Sequence, residues 1–324
     1  MILDPFALSL IAIVALALLG LSIGHAMIAS SILYLWLAGL DMGTAAEQIL
    51  NGLYSGYLLL AVPMFMLAAE MMNTGKMTER LLHFSNAVVG RFCGDLGQVN
   101  VLQSLIFAGM SGLAVADAAG TGRMMQKLMT NHDKYPAIYA AALTAATAVI
   151  GPIITPSIPL ALYALVSDAS IGFLFIAGIL PGFLLAFGLM SIVAIDARRK
   201  NFPVEEPVPM RQLPGLTLCG LLALMLPAVL LIGIRGGVMT PTEAAGVAAG
   251  YALFMSIIIY RSVSRSQLYG AILSSGRTTA SIGMLLSGAM VFNYVVTVEN
   301  IPQSLAVLLL AWDLSPMQFL ILVN

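Results

Sequence analysis

Residues 108–122 read AGMSGLAVADAAGTG, and residues 151–159 read GPIITPSIP. Both stretches sit in apolar sequence, and neither can be one continuous helix. Pro152, Pro156 and Pro159 each lack a backbone N–H, and their rings clash with the preceding turn. Glycines and Ser111 loosen the other stretch. In lipid, an N–H or C=O freed by such a break has no water to bond. Broken backbone at membrane depth is therefore tolerated only where protein covers it or where it lines a wet cavity.

The surroundings read as membrane. Of 324 residues, 60% are hydrophobic and 9% charged, where soluble domains carry about 25% charged residues. Mean hydropathy is +0.98. A net charge of −1 gives no ground for a nucleic-acid partner. Cys93 and Cys219 are far apart, lack metal-ligand spacing and read as free thiols. Asp4 and then an apolar run, with no basic segment before it, make 6–24 a first span rather than a cleaved signal.

A span needs about 20 apolar residues. Candidates are 6–24, 26–40, 55–73, 137–166, 170–195, 215–234, 242–260, 278–298 and 303–324, with a turn at Gly24-His25. Segment 76–94 mixes Lys76, Arg80 and Arg91 with Leu81, Leu82, Phe84 and Val88, the pattern of a helix lying on the membrane surface. Residues 197–214, with four prolines and both signs of charge, read as an exposed linker. Its Arg198, Arg199, Lys200 and Arg211 place it in the cytoplasm. One apolar stretch, 96–122, separates Arg91 from Arg123. If it dips in and returns as a hairpin, every one of the 14 basic residues except Arg235 lies inside, and the N-terminus lies outside. The fold class expected is an all-α polytopic membrane protein with a re-entrant helical hairpin and a discontinuous helix. Such a pair of interrupted segments points to the binding site of a carrier.

Five stretches carry a family resemblance: SGLAVADAAGTG at 111–122, Tyr135-Pro136 with the alanine-rich helix after it, GPIITPSIP at 151–159, GGVMTPTEAAGVAAGYAL at 236–253, and RTTASIGMLLSGAMVF from Arg277. Together they resemble the large membrane subunit (permease) of the TRAP transporters, the tripartite ATP-independent periplasmic carriers, over the whole chain. The resemblance implies an inverted-repeat transporter of the bacterial inner membrane. A first repeat would span 1–196, with the hairpin at about 96–130 and the broken helix at 136–166. The linker 197–214 would follow, then a second repeat at 215–324. The family's members run further, and Asp313-Leu314 stands where Asp95-Leu96 precedes the first hairpin. The chain is thus expected to stop inside its second hairpin. The family implies sodium-coupled symport by an elevator motion, with Na+ as coupling ion and no other cofactor. Its partners are a small four-span membrane subunit and a periplasmic substrate-binding protein that delivers an organic acid, such as a C4-dicarboxylate or a sialic acid. No Gly-x-x-x-x-Gly-Lys-Ser/Thr loop for ATP occurs.

Sodium needs several oxygens in a dry place, and carbonyls freed at helix breaks supply them without burying a net charge. The family motif carries Ser111, Leu113, Gly151, Ile154 and Pro156 over to the sodium site. The family's tip usually reads Ser-Gly-Ser, and Leu113 stands at the third position, offering a carbonyl but no hydroxyl. Its broken helix usually reads Pro-Pro-Ser, here Thr155-Pro156-Ser157. On the residues alone, these glycines and prolines equally suit close helix packing.

Asp117, Thr155 and Ser157 are the candidates on the substrate side. Thr155 and Ser157 have hydroxyls for a carboxylate at the positive end of the half-helix that follows, or they bond their own backbone. Asp117 is a poor direct ligand for an anion. It tunes the tip, or it caps the returning helix. Thr240-Pro241-Thr242-Glu243 reads as a capping box, and Glu70 as a paired or snorkelling carboxylate. Trp36 and Trp312 read as interface anchors.

An enzyme is not expected. Gly109-Met110-Ser111-Gly112 fits the Gly-x-Ser-Gly pattern of intramembrane serine proteases. That chemistry needs a base, and none of His25, His83 and His132 follows the serine on a membrane helix. Two alternatives remain: another ion-coupled anion carrier of related inverted-repeat plan, and a non-transporting fragment.

Overall fold

The computed structural model describes residues 4–54, 60–74, 77–131, 134–167, 169–200, 202, 225–230, 232–312 and 315–323. Lys76, His132, residues 203–214 with Arg211, Cys219 and Asp313-Leu314 lie outside the described residues. The described chain is helical throughout, with no strand among these residues. Among the described residues, three helices, Ile171–Lys200, Pro241–Ile259 and Arg265–Val298, are long and apolar enough to cross a membrane. Outward faces are apolar too: Leu180, Leu184 and Phe187 are each more than 60% exposed. Lipid is the solvent that suits such a surface.

The chain divides into two units, 1–56 with 280–324, and 57–279. The first holds α1 (Pro5–Leu18), α2 (Ile23–Leu37), α3 (Gly43–Tyr54) and the second half of the Arg265–Val298 helix. Asp4 accepts from the Phe6 N–H to start α1, with Pro5 at its first position. The turn into α2 falls at Gly20, whose φ is +91°, and not at Gly24-His25 as expected from sequence. Gly24 lies inside α2, where its lack of a side chain serves packing. A Cβ there would sit 2.6 Å from the Met284 carbonyl oxygen, and one on Gly288 would sit 2.5 Å from the Gly24 oxygen. The two backbones thus cross in direct contact, as small residues allow between membrane helices. Tyr34, Leu35, Ala45, Val291 and Val295 fill the adjoining core, and the Tyr34 hydroxyl donates to Glu299.

The second unit holds α4 (Ala61–Thr74), α5 (Met77–Val89), α6 (Asp95–Ser111), α7 (Ala114–Ala119), α8 (Thr121–Thr130), α9 (Ala137–Ala148), α10 (Ile158–Ser167) and α11 (Ile171–Lys200), then the Pro241–Phe254 helix. Ala244, Ala245, Ala248 and Ala252 of that helix pack on Ala61, Phe65, Ala68 and Met72 of α4. Its start is the capping box read from sequence: the Thr240 N–H donates to Glu243 at 2.7 Å, and the Glu243 N–H donates to the Thr240 hydroxyl at 3.3 Å. Glu70 is paired, accepting from the Ser274 hydroxyl at 2.8 Å. Arg198, Arg199 and Lys200, read as linker, finish α11 instead. There Lys200 lies 4.8 Å from the centre of the Tyr139 ring, and Phe202 packs on Tyr135 and Tyr139.

Gly288→Ala should destabilise the first unit by about 1–3 kcal/mol, the usual cost of overpacking. Gly283→Ala on the same helix meets open space and should be neutral or slightly stabilising. Thermal unfolding of the purified variants checks this; equal shifts would contradict the contact.

Candidate functional site

The helix α6 ends at Ser111 because Gly112 turns the chain left-handed, with φ +62° and its N–H bonded to the Ala108 carbonyl at 3.2 Å. After two residues α7 begins, and α8 follows directly. The stretch 96–130 is therefore two helical arms joined at a tip of Gly112 and Leu113. Along the other stretch, α9 stops at Ala148, residues 149–157 make turns that include a cis Thr155-Pro156 bond, and α10 restarts at Ile158.

The structure brings the two breaks together, backbone against backbone. A Cβ on Gly112 would strike the Pro156 carbonyl oxygen and lie 3.1 Å from the Ile158 nitrogen. One on Gly151 would lie 3.1 Å from the Leu113 carbonyl carbon and 3.2 Å from the Ala114 nitrogen. Leu113, Gly151 and Pro156 thus meet at one place. Ser111 adjoins it through its backbone, while its side chain lies outside the described residues. Ile154 is buried one residue before the Thr155-Pro156 bond and also packs on Gly182 of α11. The Leu113 carbonyl accepts the Asp117 N–H at 3.2 Å. Among the described residues, neither the Gly151 nor the Ile154 carbonyl accepts a backbone hydrogen bond.

The three substrate-side candidates differ in how free they are. The Ser157 hydroxyl donates to the Pro152 carbonyl and accepts the Leu160 N–H at 3.3 Å, capping α10. The Thr155 hydroxyl is buried and has no hydrogen-bond partner among the described residues. Asp117 is 1% exposed. Its carboxylate accepts from the Thr121 hydroxyl, and the Ser104 hydroxyl of α6 also donates to it. Beside the break, a cavity of about 180 Å3 is lined by Leu105, Ile106, Ile154, Thr155, Ile179 and Phe183.

Sequence reading missed a row of polar residues on α6. Asp95, Gln98, Asn100, Gln103 and Ser104 are each at most 3% exposed. Asn100 donates to the Thr144 hydroxyl of α9 at 3.2 Å, and Gln98 to the Met190 carbonyl of α11 at 2.9 Å. The Tyr135 hydroxyl donates to Asp95 at 3.0 Å. Burial, and then the neighbouring Asp95, push the Tyr135 phenol well above its ordinary range, so it stays a donor. Buried polar groups in apolar surroundings need partners, and these bonds tie the first arm of the hairpin to the broken helix and to α11. Their signal was five polar residues within ten positions of an apolar stretch.

Three helices long and apolar enough to cross a membrane, in a chain that also holds a pair of touching helix breaks, fit a multi-pass membrane protein. Residues 10–324 match the family model described as the tripartite ATP-independent periplasmic transporter, DctM component. The chain belongs to this family, whose member is the large permease subunit. It is 36% identical over 306 residues to the sialic acid TRAP transporter large permease protein of Vibrio cholerae, covering 94% of this chain and 71% of that one. With the 2,3-diketo-L-gulonate TRAP transporter large permease protein of Escherichia coli K12 it shares 36% identity, over 90% of this chain and 68% of the relative. The C4-dicarboxylate TRAP transporter large permease protein of Pseudomonas aeruginosa is 38% identical over 83% of this chain, which spans 62% of that protein. All three are transporter permeases, not enzymes.

Asn100→Ala and Thr144→Val should each destabilise the protein, and the double variant should show a coupling of about 1 kcal/mol, the net worth of one hydrogen bond. Strict additivity in thermal unfolding would contradict the tie between α6 and α9.

Proposed function

We propose that this subunit imports an organic acid in symport with sodium, across the bacterial inner membrane, and that the touching breaks form its first ion site. The observation that carries this reading is the backbone contact of residues 112–114 with 151 and 156–158. It gathers main-chain oxygens in a buried place where a small cation needs no carboxylate. The Gly151 and Ile154 carbonyls have lone pairs to spare, and the Leu113 and Pro156 carbonyls with the carbonyl and hydroxyl of Ser111 complete the set. Leu113 contributes its carbonyl alone, so the ion is held by fewer hydroxyls than the family's usual Ser-Gly-Ser tip allows.

The substrate carboxylate lies at the N-terminus of α10, where the helix end is positive. Thr155 supplies a hydroxyl that has no other partner among the described residues. Ser157 holds the helix start in place through its bonds to Pro152 and Leu160. Asp117, held by Thr121, borders the substrate side and orients the tip without touching an anion. The relatives named above handle sialic acid, a diketo sugar acid and C4-dicarboxylates, all bearing carboxylates, and a carboxylate is the class proposed here.

Hairpin, broken helix and α11, tied through Asn100, Gln98 and Asp95, cross the membrane as one body in an elevator motion. The fold is read as two inverted repeats, with residues 1–196 the first and 215–324 the second, joined by the cytoplasmic linker and with the N-terminus periplasmic. A small four-span subunit braces it, and a periplasmic binding protein hands over the substrate.

Proteoliposomes with the small subunit and binding protein supplied, given a panel of carboxylates, test this. Uptake should require a sodium gradient, and Ser111→Ala should cut it by about tenfold, the equivalent of about 1.4 kcal/mol. Thr155→Val should raise the KM for substrate and leave the sodium dependence alone. Equal uptake with potassium, or no effect of Ser111→Ala, would contradict the ion site.

A further inference from the structure

The cavity of about 180 Å3 beside the break has a lining that says more than its size. α6, the turn at 154–155 and α11 each give it a wall, and Ile106, Ile154, Ile179 and Phe183 make those walls apolar. Gly109 borders it as well. A Cβ there would lie 3.7 Å from the Thr155 carbonyl oxygen, so the first arm of the hairpin meets the turn on bare backbone. Among the described residues, the Thr155 hydroxyl is the one polar side-chain group in the lining, and no charged side chain joins it.

Thr155 is 1% exposed, and its hydroxyl has no hydrogen-bond partner among the described residues. A buried hydroxyl in apolar surroundings calls for one. A water held there needs at least about two polar partners, and the lining side chains offer one. A ligand with an acceptor at one end and an apolar body satisfies both the hydroxyl and the walls. The hydroxyl stands just ahead of α10, which starts at Ile158 and whose first turn is positive, so the acceptor it favours is an anionic one.

Size and lining then limit what extends from that carboxylate. A cavity of about 150 Å3 walled by Leu, Ile and Phe takes up benzene, so this one has room for a single ring or a short branched chain. A second carboxylate would be a buried charge with no counter-charge. Each hydroxyl of a sugar acid would leave water and find no partner on the walls.

We propose that the substrate is a monocarboxylate with a small apolar body, a short branched aliphatic or single-ring acid. Its body fills this cavity, and its carboxylate accepts from the Thr155 hydroxyl. The inference rests on the carboxylate reading above and narrows it.

The test is the thermal midpoint of the purified chain in neutral detergent with sodium, titrated with phenylacetate, isocaproate, succinate, gluconate and the neutral phenylethanol. Phenylacetate or isocaproate should stabilise at a concentration at least about tenfold below succinate and gluconate, the order set by one buried polar group left without a partner. Ile179→Phe, which fills the cavity from a half-buried position, should raise the concentration of apolar acid needed by about tenfold. Phe183→Ala, at an exposed position, should shift the preference from isocaproate toward octanoate, and makes the comparison if Ile179→Phe does not fold. Succinate or gluconate acting as well as the apolar acids would overturn this inference and leave the carboxylate reading standing. No response to any acid would overturn both. Equal stabilisation by phenylethanol, or responses unchanged in the variants, would place no carboxylate in the cavity and overturn the inference alone.

Discussion

Inside a bilayer, every backbone N–H and C=O must find a partner within the protein. A helix that stops at membrane depth therefore has to be covered, and here one break covers the other. Gly112 admits the Pro156 carbonyl because it has no side chain, and Gly151 admits the Leu113–Ala114 peptide for the same reason. Among the described residues, the carbonyls of Gly151 and Ile154 accept no backbone hydrogen bond. On the proposed reading, the constraint that forces the breaks together also provides main-chain oxygens for a small cation.

Holding that contact takes more than the contact itself. Leu96, Val101, Ala108, Met129, Tyr135, Leu143, Ile154 and Val193 form one core across α6, α8, α9, α11 and the turns between α9 and α10. Lipid gives helix association no hydrophobic drive of the kind water provides. Interhelical hydrogen bonds and close packing must do the work, and α6 supplies both. Asn100 and Gln98 reach α9 and α11. Gly178 and Gly182 let the 153–154 turn sit against the backbone of α11.

The breaks were legible because proline and glycine act locally, through φ and a missing N–H, whatever surrounds them. So was the Thr240–Glu243 box, whose partners are three residues apart. Less legible were features that depend on which face of a helix meets a neighbour. Hydropathy averages over Gln98, Asn100, Gln103 and Ser104 and sees only a slightly polar span. Gly24 was read as a turn since glycine commonly makes one, yet Gly20 takes the left-handed position and Gly24 serves a helix crossing. The helix α3 went unread because Thr44, Glu47, Gln48 and Asn51 dilute its apolar side. Ser157 and Thr155 are alike in sequence, and only the fold separates a hydroxyl spent on its own turn from one without a partner among the described residues.

The central claim is that the two breaks act as one ion-binding unit. Hydrogen–deuterium exchange of the purified protein, compared in sodium and in potassium at equal ionic strength, tests it most directly. The account predicts that peptides covering 111–117 and 150–158 gain protection together in sodium, with the same concentration dependence, while the Pro241–Phe254 helix does not change. Protection of one stretch without the other, or equal protection in potassium, would contradict it.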